Sequence, residues 1–324
     1  MQRRPLILAA ALAACLPLAS ANANAQDFPP KRPVTMVVGF AAGGSADIAA
    51  RIIAKKLGEN IGQSVVVDNK PGAGGNLAHA QVAHGPTDGS VLLFGSIGPL
   101  SISPHFMKVS YDPLKDLAPI TMGVTFPNVL VVPASKGIKT LGEFVAAAKR
   151  EPGKLDFAST GPGSAAHLAG ELLNDIAKID TVHIPYKGGA PALQDVLGGR
   201  VSSFYAAPPT ALPHIESGKL IPLATTGLTR PAYLPNVPTV AETYPGFNAT
   251  NWYAFVAPGK TPKPLLDRWN VELVKVLNAP DVRANLLKHG QTAAPTSRED
   301  LAKFISTENE KWSRIIRDRK ITAD

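Results

Sequence analysis

Two short glycine turns carry the residues whose types and spacing could do chemistry. The first is Gly39-Phe40-Ala41-Ala42-Gly43-Gly44-Ser45, and the second is Thr160-Gly161-Pro162-Gly163-Ser164. Each follows a short apolar run, Val34 to Phe40 in one case and Leu155 to Ser159 in the other. Each leads into a stretch with helical apolar spacing. Glycine lets the backbone turn sharply, and Ser45 and Ser164 stand where a helix cap is expected. Strand, glycine turn and helix start together aim unpaired backbone N–H groups and the positive end of a helix dipole at one spot. Such a spot holds an anion without any lysine or arginine. The expected chemistry is therefore the binding of a small anionic group.

Other chemistries fit these residues less well. Gly161-Pro162-Gly163-Ser164-Ala165-Ala166 matches the dinucleotide pattern, and Asp180 follows about twenty residues on. The ribose-binding acid, however, belongs at the end of the second strand, and Asp180 precedes that strand. Pro162 also stands where backbone should approach a pyrophosphate, so no nucleotide is expected. No serine lies in G-x-S-x-G: Ser96 has Phe94 two residues before it, and Ser45 has Asp47 two residues after. The seven histidines lack ligand spacing, His79 and His84 being five apart. Neither a metal nor hydrolysis is expected, and no cofactor. His167, at the start of the second helix, could touch a ligand or pack locally. Trp252 and Tyr253 read as strand core before they read as walls of a cleft.

The elements that position the turns follow from the apolar pattern. After the first turn, Ile48, Ile52, Ile53 and Leu57 share a helix face, and Gly58 suits the position after its end. A second strand at Ser64 to Val67, a helix at Asn76 to Ala83 and a third strand at Ser90 to Phe94 continue the alternation. Alternating strands and helices with short links imply a parallel sheet covered on both faces, with ligands beyond the carboxyl ends of the strands. The pattern then repeats. Gly44 and Gly161 are 117 residues apart, and so are Lys70 and Lys187. Pro127 to Pro133 reads as a strand leaving a first lobe, and Asn251 to Ala257 as one returning to it. Thr140 to Arg150, Pro264 to Leu277, Pro280 to His289 and Ser297 to Arg319 read as helices, the last three covering the first lobe. The expected fold is α/β in two lobes, 26–128 with 254–324 and 129–253, joined by two crossings as in a hinged clamp.

The ends and the composition set limits. Met1-Gln2-Arg3-Arg4, the apolar run Leu6 to Leu18 and Ala23-Asn24-Ala25 read as a signal peptide over residues 1–25, cleaved after Ala25. Export to the periplasm is expected. Leu12-Ala13-Ala14-Cys15 resembles a lipoprotein box, but the apolar run continues past Cys15, which favours ordinary cleavage. Cys15 is the only cysteine, so no disulfide is expected and stability must come from a core. About 300 mature residues are more than one core usually serves, again implying two lobes. Without Arg3 and Arg4, 31 basic residues face 25 acidic ones, and they are scattered. No nucleic-acid footprint results, and no second apolar run is long enough to span a membrane.

Several motifs together resemble one family. They are Gly43-Gly44-Ser45-Ala46-Asp47, Asp68-Asn69-Lys70-Pro71-Gly72-Ala73-Gly74-Gly75-Asn76, Tyr111-Asp112-Pro113, His167-Leu168-Ala169-Gly170-Glu171-Leu172, Pro185-Tyr186-Lys187-Gly188, Leu212-Pro213-His214-Ile215 and Pro235-Asn236-Val237-Pro238-Thr239-Val240. Across essentially the whole mature chain they resemble the Bug/TctC family, the periplasmic solute receptors of tripartite tricarboxylate transporters. The resemblance implies a monomeric two-lobe periplasmic binding protein, a Venus-flytrap clamp of type II-like plan, with no enzymatic activity. It implies a small organic carboxylate as ligand and membrane permease subunits as partners. The expected ligand-binding residues are Phe40, Ala41, Ala42, Gly43, Gly44 and Ser45 from one lobe. From the other come Thr160, Gly161, Gly163, Ser164, Ala165 and His167, while Ser96 and Ala206 line the rest of the cleft. A sensory module delivering a carboxylate to a membrane kinase needs the same clamp and is the alternative. Three departures from the family pattern stand out. Ala41 and Ala42 replace two prolines, and Ser45 replaces a glycine. Ala206 stands where members that bind amino acids carry an aspartate, which argues against an amino-acid ligand.

Overall fold

The computed structural model describes residues 28–322, so the expected leader and Cys15 lie outside the described residues. β1 (Val34–Val38), α1 (Ser45–Ile61), β2 (Val65–Asn69), α2 (Asn76–Ala83) and β3 (Val91–Ser96) open the chain. β4 (Leu117–Phe126) leads through Pro127 and Asn128 to β5 (Val129–Pro133). There follow α3 (Leu141–Arg150), β6 (Asp156–Ser159), α4 (Ala165–Ala177), β7 (Val182–Pro185) and α5 (Gly189–Leu197). β8 (Ser203–Ala206), α6 (Pro208–Glu216), β9 (Leu220–Thr225) and the single-turn α7 (Val240–Thr243) come next. β10 (Asn251–Pro258), α8 (Lys263–Asn278), α9 (Pro280–Lys288), β11 (Thr292–Ala293) and α10 (Arg298–Arg319) complete it.

The strands form two sheets, in the orders β11-β4-β10-β3-β1-β2 and β7-β6-β8-β5-β9. In the first, β1 runs parallel to β2 and β3, and β10 lies antiparallel on β3. In the second, β6 runs parallel to β7 and β8, and β5 lies antiparallel on β8. The same four-strand plan therefore occurs twice, which is the structural content of the 117-residue repeat. β10 pairs with β4 from Asn251 opposite Phe126 to Pro258 opposite Leu117. The six-stranded sheet thus holds this strand from Asn251, upstream of the division expected at residue 254.

The ten-residue β4 is an element with no reading in the sequence. Eight of its residues are buried, so the strand shows no alternation of apolar and polar positions, and Pro119 and Gly123 interrupt it. α1 also runs further than its pattern implies. It passes Gly58 and ends before Gly62, whose φ of 63° supplies the left-handed cap. Gly58 is small for another reason: a Cβ there would lie 3.0 Å from the Gln63 carbonyl, where the chain turns back into β2.

Packing fixes the tail as expected. Trp269 and Leu273 of α8 and Leu286 of α9 share one core with Met36, Val38 and Ile53. Leu301, Ile305 and Trp312 of α10 pack in another with Val37 and Leu93, on the opposite face of the same sheet. Each such side chain, fully buried, contributes about 1.5–3 kcal/mol. A third cluster, around Val129, Phe204 and Ala206, fills one face of the second sheet.

Candidate functional site

The first glycine turn is laced from below. Asp47, in the first turn of α1, accepts the Gly43 N–H at 2.9 Å and is gripped by the Arg51 guanidinium at 3.0 Å. Arg51 reaches Asn69 Oδ1 (3.2 Å), and Asn69 Nδ2 donates to the Phe40 carbonyl (3.0 Å). Burial alone would raise the Asp47 carboxyl, but the bonds from Arg51 and Gly43 outweigh it and hold the group below its usual range. The helix cap is Gly44, and Ser45 is the first helical residue, a correction to the cap expected at Ser45. Its hydroxyl instead accepts from Gln291 Nε2 (3.1 Å) and from the Tyr253 hydroxyl (3.4 Å).

The second turn is satisfied mostly by its own neighbours. Ser159 Oγ accepts the Gly161 N–H (3.0 Å), donates to the Gly161 carbonyl (3.2 Å) and meets His183 Nε2 at 2.5 Å. Gly163 N–H donates to His167 Nδ1 (3.2 Å). Ser164 caps α4 as expected, its hydroxyl accepting the His167 N–H at 3.3 Å. The His167 ring is buried and stacked on His183 with centroids 4.0 Å apart.

Between the two sheets lies a narrow cleft of about 370 Å³, a figure that includes its open mouth. Phe40, Gly44, Ser45 and Thr160 line it, as expected. So do Ala46 and Ala166 at the starts of α1 and α4, and Gly189 at the start of α5. The first amides of a helix have no acceptor within the helix, so three helix N-termini converge here. Phe204, Tyr205 and Tyr253 supply aromatic walls, and Asn128, Asn251 and Thr210 the polar side chains. Among the described residues, no lysine, arginine, aspartate, glutamate or histidine lines the cleft.

The other expected residues stand nearby and are not among those that line this cleft. Ala41 and Ala42 stand between the lining residues Phe40 and Gly44, and the Gly43 amide is taken by Asp47. Gly161, Gly163 and Ser164 form the back of the second turn, and Ala165 packs into the core. Ser96 is buried beside His79, whose Nε2 accepts its N–H at 3.3 Å. Ala206, expected to line the cleft, turns its methyl into the core with Val129 and Phe204, while Ala207 lines the cleft instead. Asn128, Asn251 and Thr210 went unread. Asn128 and Asn251 sit at the two crossings, and only the pairing of β4 with β10 brings them within 3.3 Å.

Each turn meets backbone from the other sheet's side of the cleft. A Cβ on Gly161 would lie 2.8 Å from Gly74 Cα, one on Gly98 2.6 Å from the Gly163 carbonyl oxygen, and one on Gly188 3.0 Å from Ala41 N. Ala41 N–H donates across the same seam to the Lys187 carbonyl (3.1 Å). Glycine here permits close approach of two chains, and it shuts the rim of the cleft.

The fold recurs in known proteins. The family described as the tripartite tricarboxylate transporter family receptor matches residues 49–321. BugT of Bordetella pertussis is 36% identical over 292 residues, covering 89% of this chain and 90% of BugT. Two solved structures from Rhodopseudomonas palustris superpose closely. Rpa4515 with adipate gives a TM-score of 0.87 at 31% identity, over 91% of this chain and 99% of the other. MatC with bound malate gives 0.85 at 32% identity, over 89% and 99%. The fold is accordingly the two-lobe binding-protein fold, and the chain belongs to the TctC family of tripartite tricarboxylate transporter receptors.

Proposed function

We propose that this protein is a periplasmic receptor that binds a small organic carboxylate and hands it to the membrane permease of a tripartite tricarboxylate transporter. The observation that carries this reading is the cleft itself: three helix N-termini converge on a space with no charged side chain. A carboxylate is an anion that such amides hold well, and a closed cleft strengthens each of those bonds. The adipate and malate bound by the two Rhodopseudomonas structures support a dicarboxylate of similar size, and a monocarboxylate fits the same amides. Residues 1–25 serve as the export signal, and the receptor works as a monomer that releases its ligand unchanged.

A thermal-shift screen over mono-, di- and tricarboxylates and aromatic acids tests this. A ligand at 100 times its dissociation constant stabilises by about 2.7 kcal/mol, and an aliphatic dicarboxylate is expected among the hits. Recovery of that ligand intact after denaturing the complex checks that binding is all that occurs. If no carboxylate shifts the melting temperature, while the uncharged amides of the same acids do, the reading is wrong.

A further inference from the structure

Asn128 stands at the first crossing between the sheets and lines the cleft. Only 1% of its surface is exposed, and its Nδ2 has no hydrogen-bond partner. Buried donors are nearly always paired, so an unpaired amide at a cleft wall points to a missing acceptor. The orientation of that amide follows from a chain of bonds. The Trp252 backbone N–H donates to Asn251 Oδ1 at 2.8 Å, which leaves Asn251 Nδ2 to donate to Asn128 Oδ1 at 3.3 Å. A backbone N–H can only donate, so flipping either amide would set like groups against each other. Asn128 therefore presents a donor to the cleft. Its backbone is held as well, N–H to Thr226 Oγ1 and carbonyl from Thr226 N–H, both at 2.9 Å.

A second group lies close by. The Thr210 hydroxyl is unpaired, 6% exposed, and in the cleft wall. β5 sets Val129 opposite Ala206, so Asn128 falls beside Ala207, and the Thr210 N–H donates to the Ala207 carbonyl at 3.0 Å. Both side chains thus border the end of β8. A hydroxyl can donate or accept, but the amide cannot, and no acid lines the cleft to receive a cation.

We propose that Asn128 is a specificity-determining residue that reads a second oxygen acceptor on the ligand, with Thr210 beside it. This deepens the carboxylate reading above and rests on it. The ligand class is a carboxylate that also carries a carboxylate, carbonyl or hydroxyl oxygen at its other end. An ammonium there would face an N–H donor, and a methyl would leave that donor unpaired. Because Asn128 belongs to the crossing segment, the same contact ties ligand recognition to the hinge.

Calorimetric titration with matched acids tests this on the full mature chain. The probes are butanoate, succinate and γ-aminobutanoate; hexanoate, adipate and ε-aminohexanoate; and benzoate, terephthalate and para-(aminomethyl)benzoate. The wild type should prefer the diacid of at least one series over its methyl- or hydrogen-ended partner by about tenfold or more. Asn128→Asp keeps an oxygen for Asn251 and turns the cleft-facing donor into an acceptor. It should lose about tenfold or more on that diacid and narrow or reverse the gap to the ammonium analogue. Asn128→Ala should lose the preference for the diacid while keeping its singly charged partner, with ligand-free melting curves confirming that both variants fold. Unchanged ratios in both variants would overturn the role of Asn128 and leave the carboxylate reading standing. If no acid in any series binds the wild type, the carboxylate reading and this inference fall together.

Discussion

Two neutral histidines hold backbone around the cleft. His167 Nδ1 accepts the Gly163 N–H, and its ring lies between His183 and Phe106, with Glu171 Oε1 3.9 Å from Nε2. Burial, and then the neighbouring His183, push its pKa down to about 3. His79 donates from Nδ1 to the Gly75 carbonyl and accepts the Ser96 N–H on Nε2, and burial lowers it to about 4. In both cases the folded state binds fewer protons than the unfolded chain below the ordinary histidine value of 6.5. Their contribution is complete above about pH 6.5 and is lost as pH falls toward the folded values, at up to about 1.4 kcal/mol per pH unit for each proton. His167→Gln retains an acceptor for Gly163 but cannot be protonated. Its melting temperature should fall less steeply than that of the wild type between pH 6 and pH 4. Equal slopes would mean that His167 is not neutral because of its burial.

At the scale of elements, the backbone seam between the two sides of the cleft makes a separate demand on the chain. Gly98 follows β3 at the start of a π-helical turn and has no left-handed φ, so nothing in its own backbone requires glycine. What requires it is the Gly163 carbonyl, 2.6 Å from where a Cβ would stand. Gly98→Ala should therefore leave the separate lobes intact while keeping the seam from closing. Affinity for any ligand found by the screen should drop by about tenfold or more, since the amides of the two sides no longer converge. Small-angle scattering at saturating ligand should show a larger radius for the variant than for the wild type. A variant that binds and compacts normally would show that the seam gives way at little cost.

For the whole molecule, the absence of charge in the cleft is the property with the widest consequence. Binding relies on oriented amides and hydroxyls inside a narrow space, where bulk ions screen poorly. Dissociation constants measured between 50 and 500 mM sodium chloride should therefore differ by less than about twofold. A steep loss of affinity with salt would point to surface lysines or arginines as the holders. The chain's excess of basic residues lies outside the cleft, where it can speed the approach of an anion without fixing its bound position.

The sequence by itself determined the periodic parts and the turns. The β-α-β opening, its repeat 117 residues on, the cap at Ser164 and the three tail helices were legible because each rests on local spacing, turn chemistry or capping. β4 was not legible, because a strand buried on both faces loses its alternation. Tertiary structure alone decided which atoms of the turns remain available. The amides of Gly43, Gly161 and Gly163 are consumed by Asp47, Ser159 and His167, side chains whose reach depends on the folded turn. It also decided the polar wall of the cleft. Asn128 and Asn251 are 123 positions apart in the chain and touch because β10 returns along β4. Ala206 and Ala207 look alike in the sequence, yet Ala206, the last residue of β8, packs in the core, while Ala207, the cap of α6, stands in the cleft wall. Local pattern fixes elements, but the direction of a side chain at a strand's end is set by what packs against it.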